Sequence, residues 1–145
     1  MSDPFNLERF VAAQAGVIEA VQAQLRAGRK TSHWMWYVFP QIEGLGFSAL
    51  AQFYALASLD EARAYLAHPV LGERLRACVA LVLGVQGRSL GAIFGSPDDM
   101  KFRSSMTLFD RAAPEEPVFS QALTQFCGGE ADPATLSILE RLARG

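Results

Sequence analysis

Apolar residues recur every three to four positions through most of the chain, the spacing of an α-helix that buries one face. Near the start, Leu7, Phe10, Val11, Ile18, Val21 and Leu25 form one such stripe, which predicts a first helix over Pro4 to Ala27. Gln14 falls in the middle of it. The same spacing predicts helices over Phe47–Leu56, Leu59–Ala67, Pro69–Leu83, Ser89–Phe94, Pro97–Arg111, Pro117–Cys127 and Pro133–Ala143. The segment His33 to Pro40 is too short and too uniformly apolar for periodicity to decide. Its length and flanks favour a short helix ended by Pro40.

The punctuation between these stretches is helical too. Asp3-Pro4, Ser96-Pro97 and Asp132-Pro133 each put a capping residue before a proline, which suits the first position of a helix. Ser58 to Glu61 reads as a capping box, with Glu61 placed to reach back to the Ser58 amide. Gly28, Gly84, Gly95 and Gly128-Gly129 follow the apolar runs as stops. No stretch alternates with period two, and no Asn-Gly or Asp-Gly hairpin turn occurs. The expected fold is all-α: one compact domain over residues 1–145, of about seven or eight short helices. Ala112 to Pro117 is a surface linker too short to separate domains.

Composition narrows the function classes. Half of the residues are hydrophobic and 19% are charged, with a formal net charge of −2 and no basic block. That excludes the electrostatic footprint of a duplex nucleic-acid binder but leaves room for a nucleotide pocket. The apolar run from Cys78 to Leu83 is far short of a membrane span. MSDPFNLERF lacks the basic start and apolar stretch of a signal peptide, so the expected location is the cytoplasm. The two cysteines are too few for a disulfide framework, and the two histidines, His33 and His68, have no ligand-spaced partner. No metal and no cofactor are expected. Nothing in the pattern specifies an oligomeric state.

Candidate chemistry concentrates in two segments. The first, GRKTSHWMWYVFPQIEGLG from Gly28 to Gly46, holds both tryptophans, one of the two histidines and one of the two lysines. Trp34 and Trp36 cannot share one face of a helix, so at least one belongs to the core. The other either joins the core as well or forms a stacking wall for a planar ligand. Lys30, His33 and Gln41 complete the polar set. Gln14 is a second candidate: an amide on an apolar face must be hydrogen-bonded or cost about 1–3 kcal/mol. It either ties down a neighbouring backbone segment or faces a ligand.

The other segment is SPDDMKFRSSMTLFD, from Ser96 to Asp110. Phe102, Met106 and Phe109 form its apolar face. Asp99, Arg103 and Met106 run along one flank, and Lys101, Ser104, Ser105 and Leu108 along the other. Consecutive serines are poor helix formers, so Ser104 and Ser105 serve packing or hydrogen bonding, one of them with a polar contact to ligand open. The chain has eleven arginines but only two lysines, Lys30 and Lys101, one in each segment. An ammonium is a compact charge that a guanidinium does not replace at a tight site. These features predict that the two segments meet in space as one pocket, one indole its apolar wall and a lysine its charged rim.

SHWMWYVFPQ, GLGFS, AYLAHPVLGERL, IFGSPDD and KFRSSMTLF together resemble the family designated domain of unknown function 1810. The likeness runs from Asn6 through Leu136. Members commonly read Phe-Ile at Tyr37-Val38 and Leu at Phe102, both conservative packing changes. The resemblance implies a small, mainly helical domain and no established activity. A fainter similarity, in the His-Pro-x-Leu-Gly and Lys-Phe-Arg elements, is to the helical NADAR proteins, which act on ADP-ribose and related N-glycosides.

Two functions follow as expectations. One is a nucleotide- or ADP-ribose-binding enzyme that hydrolyses an N-glycosidic bond, which needs a carboxylate to position water and a donor for the departing base. Asp99 or Glu43 is the candidate carboxylate, with Lys101, Lys30 and His33 as charge stabilisers or acid–base groups. Gln14, Lys30, Trp34, Trp36, Gln41, Ser104 and Ser105 are the candidate ligand contacts. The alternative is a noncatalytic module that binds a small molecule or protein through the same wall.

Overall fold

The computed structural model describes residues 2–145. Ten helices follow one another: α1 (Glu8–Ala15), α2 (Ile18–Arg26), α3 (Met35–Val38), α4 (Ala49–Phe53), α5 (Leu59–Ala67), α6 (Leu71–Leu83), α7 (Leu90–Phe94), α8 (Asp98–Ala112), α9 (Pro117–Cys127) and α10 (Pro133–Arg144). The expected all-α class holds, with more helices than the seven or eight anticipated. Among the described residues the β structure is one isolated bridge between Ile42 and Leu56. No helix of those residues is long and apolar enough to cross a membrane.

The extra count arises chiefly at the beginning. The stripe read as one helix over Pro4–Ala27 is two, interrupted at Gly16-Val17, where Val17 leaves the helical region with φ −129°. Each half buries its own pair, Phe10 and Gln14 in α1, and Val21 and Leu25 in α2. The chain also enters α1 late. Asp3 accepts from the amides of Leu7 at 2.8 Å and Glu8 at 3.1 Å, so it caps from outside the helix rather than beside Pro4.

Other caps behave as sequence chemistry dictates. Asp132 accepts from the Thr135 amide and Pro133 opens α10; Pro117 likewise opens α9. Ser58 accepts from the Glu61 amide at 3.1 Å. The carboxylate of Glu61 reaches past Ser58, however, taking the Ala57 amide on one oxygen (2.9 Å) and Arg9 on the other (2.9 Å). That arginine also donates to the carbonyls of Phe53 and Ala55. The expected box therefore becomes a clamp between α1 and the α4–α5 connection. α8 starts one residue later than the Ser96-Pro97 pairing implies, with Pro97 in the capping position and no side-chain cap.

α8 is the central helix, packed against α5, α7, α9 and α10. It buries Phe102, Met106 and Phe109 as expected, and also Ser104, Ser105, Thr107 and Leu108. Above its first turns Phe39, Phe94 and Phe102 form a three-ring cluster, with centroids 5.0–5.8 Å apart. Each such ring contributes about 1.5–3 kcal/mol by leaving water. The cluster welds the α3 segment and α7 onto α8, and so fixes the two walls of the cleft described next.

Candidate functional site

The loop from Gly28 to Trp34 is shaped from below by Gln24 of α2. Its side-chain oxygen accepts from the Thr31 amide and from the Trp34 indole N–H, both at 2.9 Å, and its amide nitrogen donates to Ser32 Oγ at 2.8 Å. The Lys30 amide donates to the Ile93 carbonyl at 2.7 Å, tying the loop to α7. The loop is therefore held on both sides before any side chain faces outward.

Its polar side chains then meet the start of α8. A cleft of about 440 Å³ is lined on one side by Lys30–His33, Met35 and Trp36, and on the other by Phe94, Ser96, Pro97, Asp98 and Lys101. Lys30 Nζ pairs with Asp98 Oδ2 at 2.9 Å, and Lys101 Nζ lies 3.5 Å from Asp98 Oδ1. Both lysines of the chain thus share one carboxylate, leaving an excess of one positive charge. Each ammonium also faces an indole: Lys30 lies 5.2 Å from the Trp34 ring centre and Lys101 5.4 Å from that of Trp36, within cation–π range. Of the first amides of α8, those of Asp99, Met100 and Lys101 are taken by the carbonyls of Gly95 and Pro97.

The expected set divides accordingly. Lys30, His33, Trp36 and Lys101 share the cleft. Trp34 does not form its wall: it is buried, with its indole N–H spent on Gln24, and Trp36 is the half-exposed ring. Asp99 is displaced from its assigned role. It lies one residue around the helix, in a separate depression with Ser89 and Arg103, and Asp98 takes the position facing Lys101. Glu43 is exposed and outside the cleft. Gln41 lines a narrow crevice beside it.

Gln14, Ser104 and Ser105 are structural. Gln14 is 1% exposed; its amide donates to the Tyr37 carbonyl at 2.6 Å and the Tyr65 hydroxyl at 3.1 Å, and its oxygen accepts from Arg74. Of the two readings of this amide, tying down backbone is the one realised. Ser104 donates to the Met100 carbonyl and lies 2.9 Å from Asp132, joining α8 to the cap of α10. Ser105 is fully buried. Both serines therefore lie under the helix surface rather than on the cleft. Among the described residues no group of acidic, histidine or cysteine side chains is arranged to hold a metal ion.

Fold and cleft together define a small all-helical domain with a cleft near the start of its central helix, lined by Lys30, Lys101 and Trp36. The chain belongs to the family described as protein of unknown function (DUF1810), whose model matches residues 4–139. It is also similar to the crystal structure of the conserved hypothetical protein Rv1873 from Mycobacterium tuberculosis. The two are 54% identical, with a TM-score of 0.94 over 95% of this chain and 99% of that one. No curated protein matches the chain.

Proposed function

We propose that the cleft binds a small anionic ligand carrying a planar ring, of the nucleotide or ADP-ribose type. The observation that carries this reading is the convergence of the only two lysines on Asp98 beside the half-exposed Trp36. Two ammonium groups around one carboxylate attract a phosphate, and the indole offers a face for a base. The volume of about 440 Å³ falls in the range of small-molecule sites, roughly 300–1,000 Å³.

In an N-glycosidase version of this reading, Asp98 positions water, and His33 or Lys101 stabilises the departing base. A noncatalytic version is favoured by one feature: Asp98 is already engaged by both lysines, so its lone pairs are committed to holding them.

Thermal unfolding in the presence of AMP, ADP-ribose and nicotinamide mononucleotide tests binding. A ligand at 100 times its Kd adds about 2.7 kcal/mol to native stability, which for a domain of this size is a rise of roughly 5–10 °C. No rise with any of them at millimolar concentration overturns the reading. Chromatographic release of free base from a ligand that does bind separates the hydrolase from the binding module.

A further inference from the structure

We propose that the ligand's ring enters a second compartment, between Trp36 and Tyr54, where the side-chain amide of Gln41 reads its edge. This rests on the nucleotide reading above. The crevice beside the main cleft is lined by Gln41, Gly46, Ala51 and Tyr54, and it shares Met35, Trp36 and Lys101 with that cleft. Trp36 and Lys101 are thus the partition between two spaces. A ring on the far side and a phosphate on the near side would both reach Lys101, the order in which a nucleotide presents them.

The two compartments differ in chemistry. The main cleft has a hydroxyl- and charge-rich rim, through Thr31, Ser32, His33 and Ser96. The crevice is bounded by the rings of Trp36, Phe39 and Tyr54, surfaces on which a base stacks. Gln41 sits there on fixed backbone: its carbonyl accepts from the Leu56 amide at 2.9 Å, and the Leu56 carbonyl accepts from Glu43 at 2.8 Å. Its side-chain amide lines the crevice without a protein partner among the described residues. An amide offers a donor and an acceptor side by side, the pair that a base edge complements.

The crevice is closed at about 10 Å³, barely the size of one water. Its outer wall is lightly packed. Gly46 and Ala51 belong to the segment around α4, a five-residue helix with no buried residue. Phe47, Leu50 and Phe53 stand exposed along it. The segment is fastened at its ends, by Glu43 to Leu56 and by Arg9 to the Phe53 carbonyl. Between them its side-chain hydrogen bonds are local, Ser48 to the Ala51 amide and Gln52 to the Phe47 carbonyl. Gly44, at φ 108°, supplies a backbone pivot. Outward movement of this segment opens the crevice by lifting the partly buried Leu45 from the core's edge, while α4 itself gives up no buried residue.

The test compares AMP with ribose 5-phosphate, which keeps the anion and lacks the ring, by calorimetric titration and tryptophan fluorescence. The parent should bind AMP at least about tenfold more tightly, with quenching specific to AMP. Gln41→Ala should lower AMP affinity about three- to tenfold and leave ribose 5-phosphate unchanged. Gln41→Met, of similar length without polar atoms, should repeat the loss at an unchanged melting temperature. If the Gln41 variants weaken both or neither, this inference fails and the nucleotide reading stands; if both ligands bind equally, the ring contributes nothing and both readings fail. If neither ligand binds the parent, the nucleotide reading fails and takes the inference with it.

Discussion

The ammonium of Lys30 meets the carboxylate of Asp98 at 2.9 Å, with only 7% and 18% of the two side chains exposed. The contact joins the loop after α2 to the first turn of α8, so it is at once a fastening and part of the cleft's lining.

Replacing Asp98 with Asn should therefore change two quantities in opposite directions. Leaving the nearly buried ammonium without its counter-charge should lower stability by about 1–3 kcal/mol in a denaturant titration. The cleft then carries two uncompensated cations, and AMP should bind more tightly in a calorimetric titration. A variant of parental stability would mean that the pair does not fasten the loop.

Lys101→Ala should act on affinity and hardly on stability. Its side chain is one-quarter exposed and lies 3.5 Å from Asp98, so its removal should shift the melting temperature little. Losing a phosphate-facing cation should weaken AMP binding by about tenfold or more. Parental AMP affinity would place the anion elsewhere.

Several of these relationships were legible before the fold was seen, and the failures have physical causes. The rarity of lysine pointed to Lys30 and Lys101, and the structure brings them to one carboxylate. Helical spacing indicates Asp98 rather than Asp99 as the partner of Lys101: Asp98 lies three residues before Lys101 and shares its face of the helix, whereas Asp99 lies four before Arg103. The break at Gly16-Val17 was not legible, since one glycine in a continuous stripe is tolerated by many helices. Gln24 was missed because its value lies in partners across a turn, Thr31, Ser32 and Trp34, which no helical period relates to it. The burial of Trp34 follows from that same contact. Of the three cap-proline starts the sequence offers, Asp132-Pro133 is realised as read, because its cap is made within the first turn, to the Thr135 amide.

Gln14→Ala should cost roughly 1–3 kcal/mol, seen as a lower denaturant midpoint. The loss leaves the Tyr37 carbonyl and the buried Tyr65 hydroxyl without their shared donor. Gln14→Glu should be no milder, because it removes the same donor and places a carboxylate in the core beside Arg74 alone. An unchanged midpoint for either variant contradicts the described contacts.

Stability should fall on the alkaline side. Burial pushes the Cys78 thiol up to about 12 from an ordinary value of 9.0, against the opposing hydrogen bond from Gln22. A folded-state value above the unfolded one means that the contribution is full below about pH 9 and is lost progressively towards pH 12. Burial also raises the Tyr65 hydroxyl. Denaturant midpoints taken above pH 9 should decline, with one thiol contributing at most about 1.4 kcal/mol per pH unit. Cys78→Ala should make that decline shallower; an unchanged slope would assign it to other groups.

The clamp at Arg9 bears on the order in which the molecule is built. The distant partners of α1 all lie later in the chain: Phe53, Ala55 and Glu61 for Arg9, and Tyr37, Tyr65 and Arg74 for Gln14. An eight-residue helix has little stability by itself. During synthesis, then, α1 emerges well before Arg74 and waits for its arrival before its contacts are complete. A chain halted before that residue should lack a settled beginning as well as its missing end.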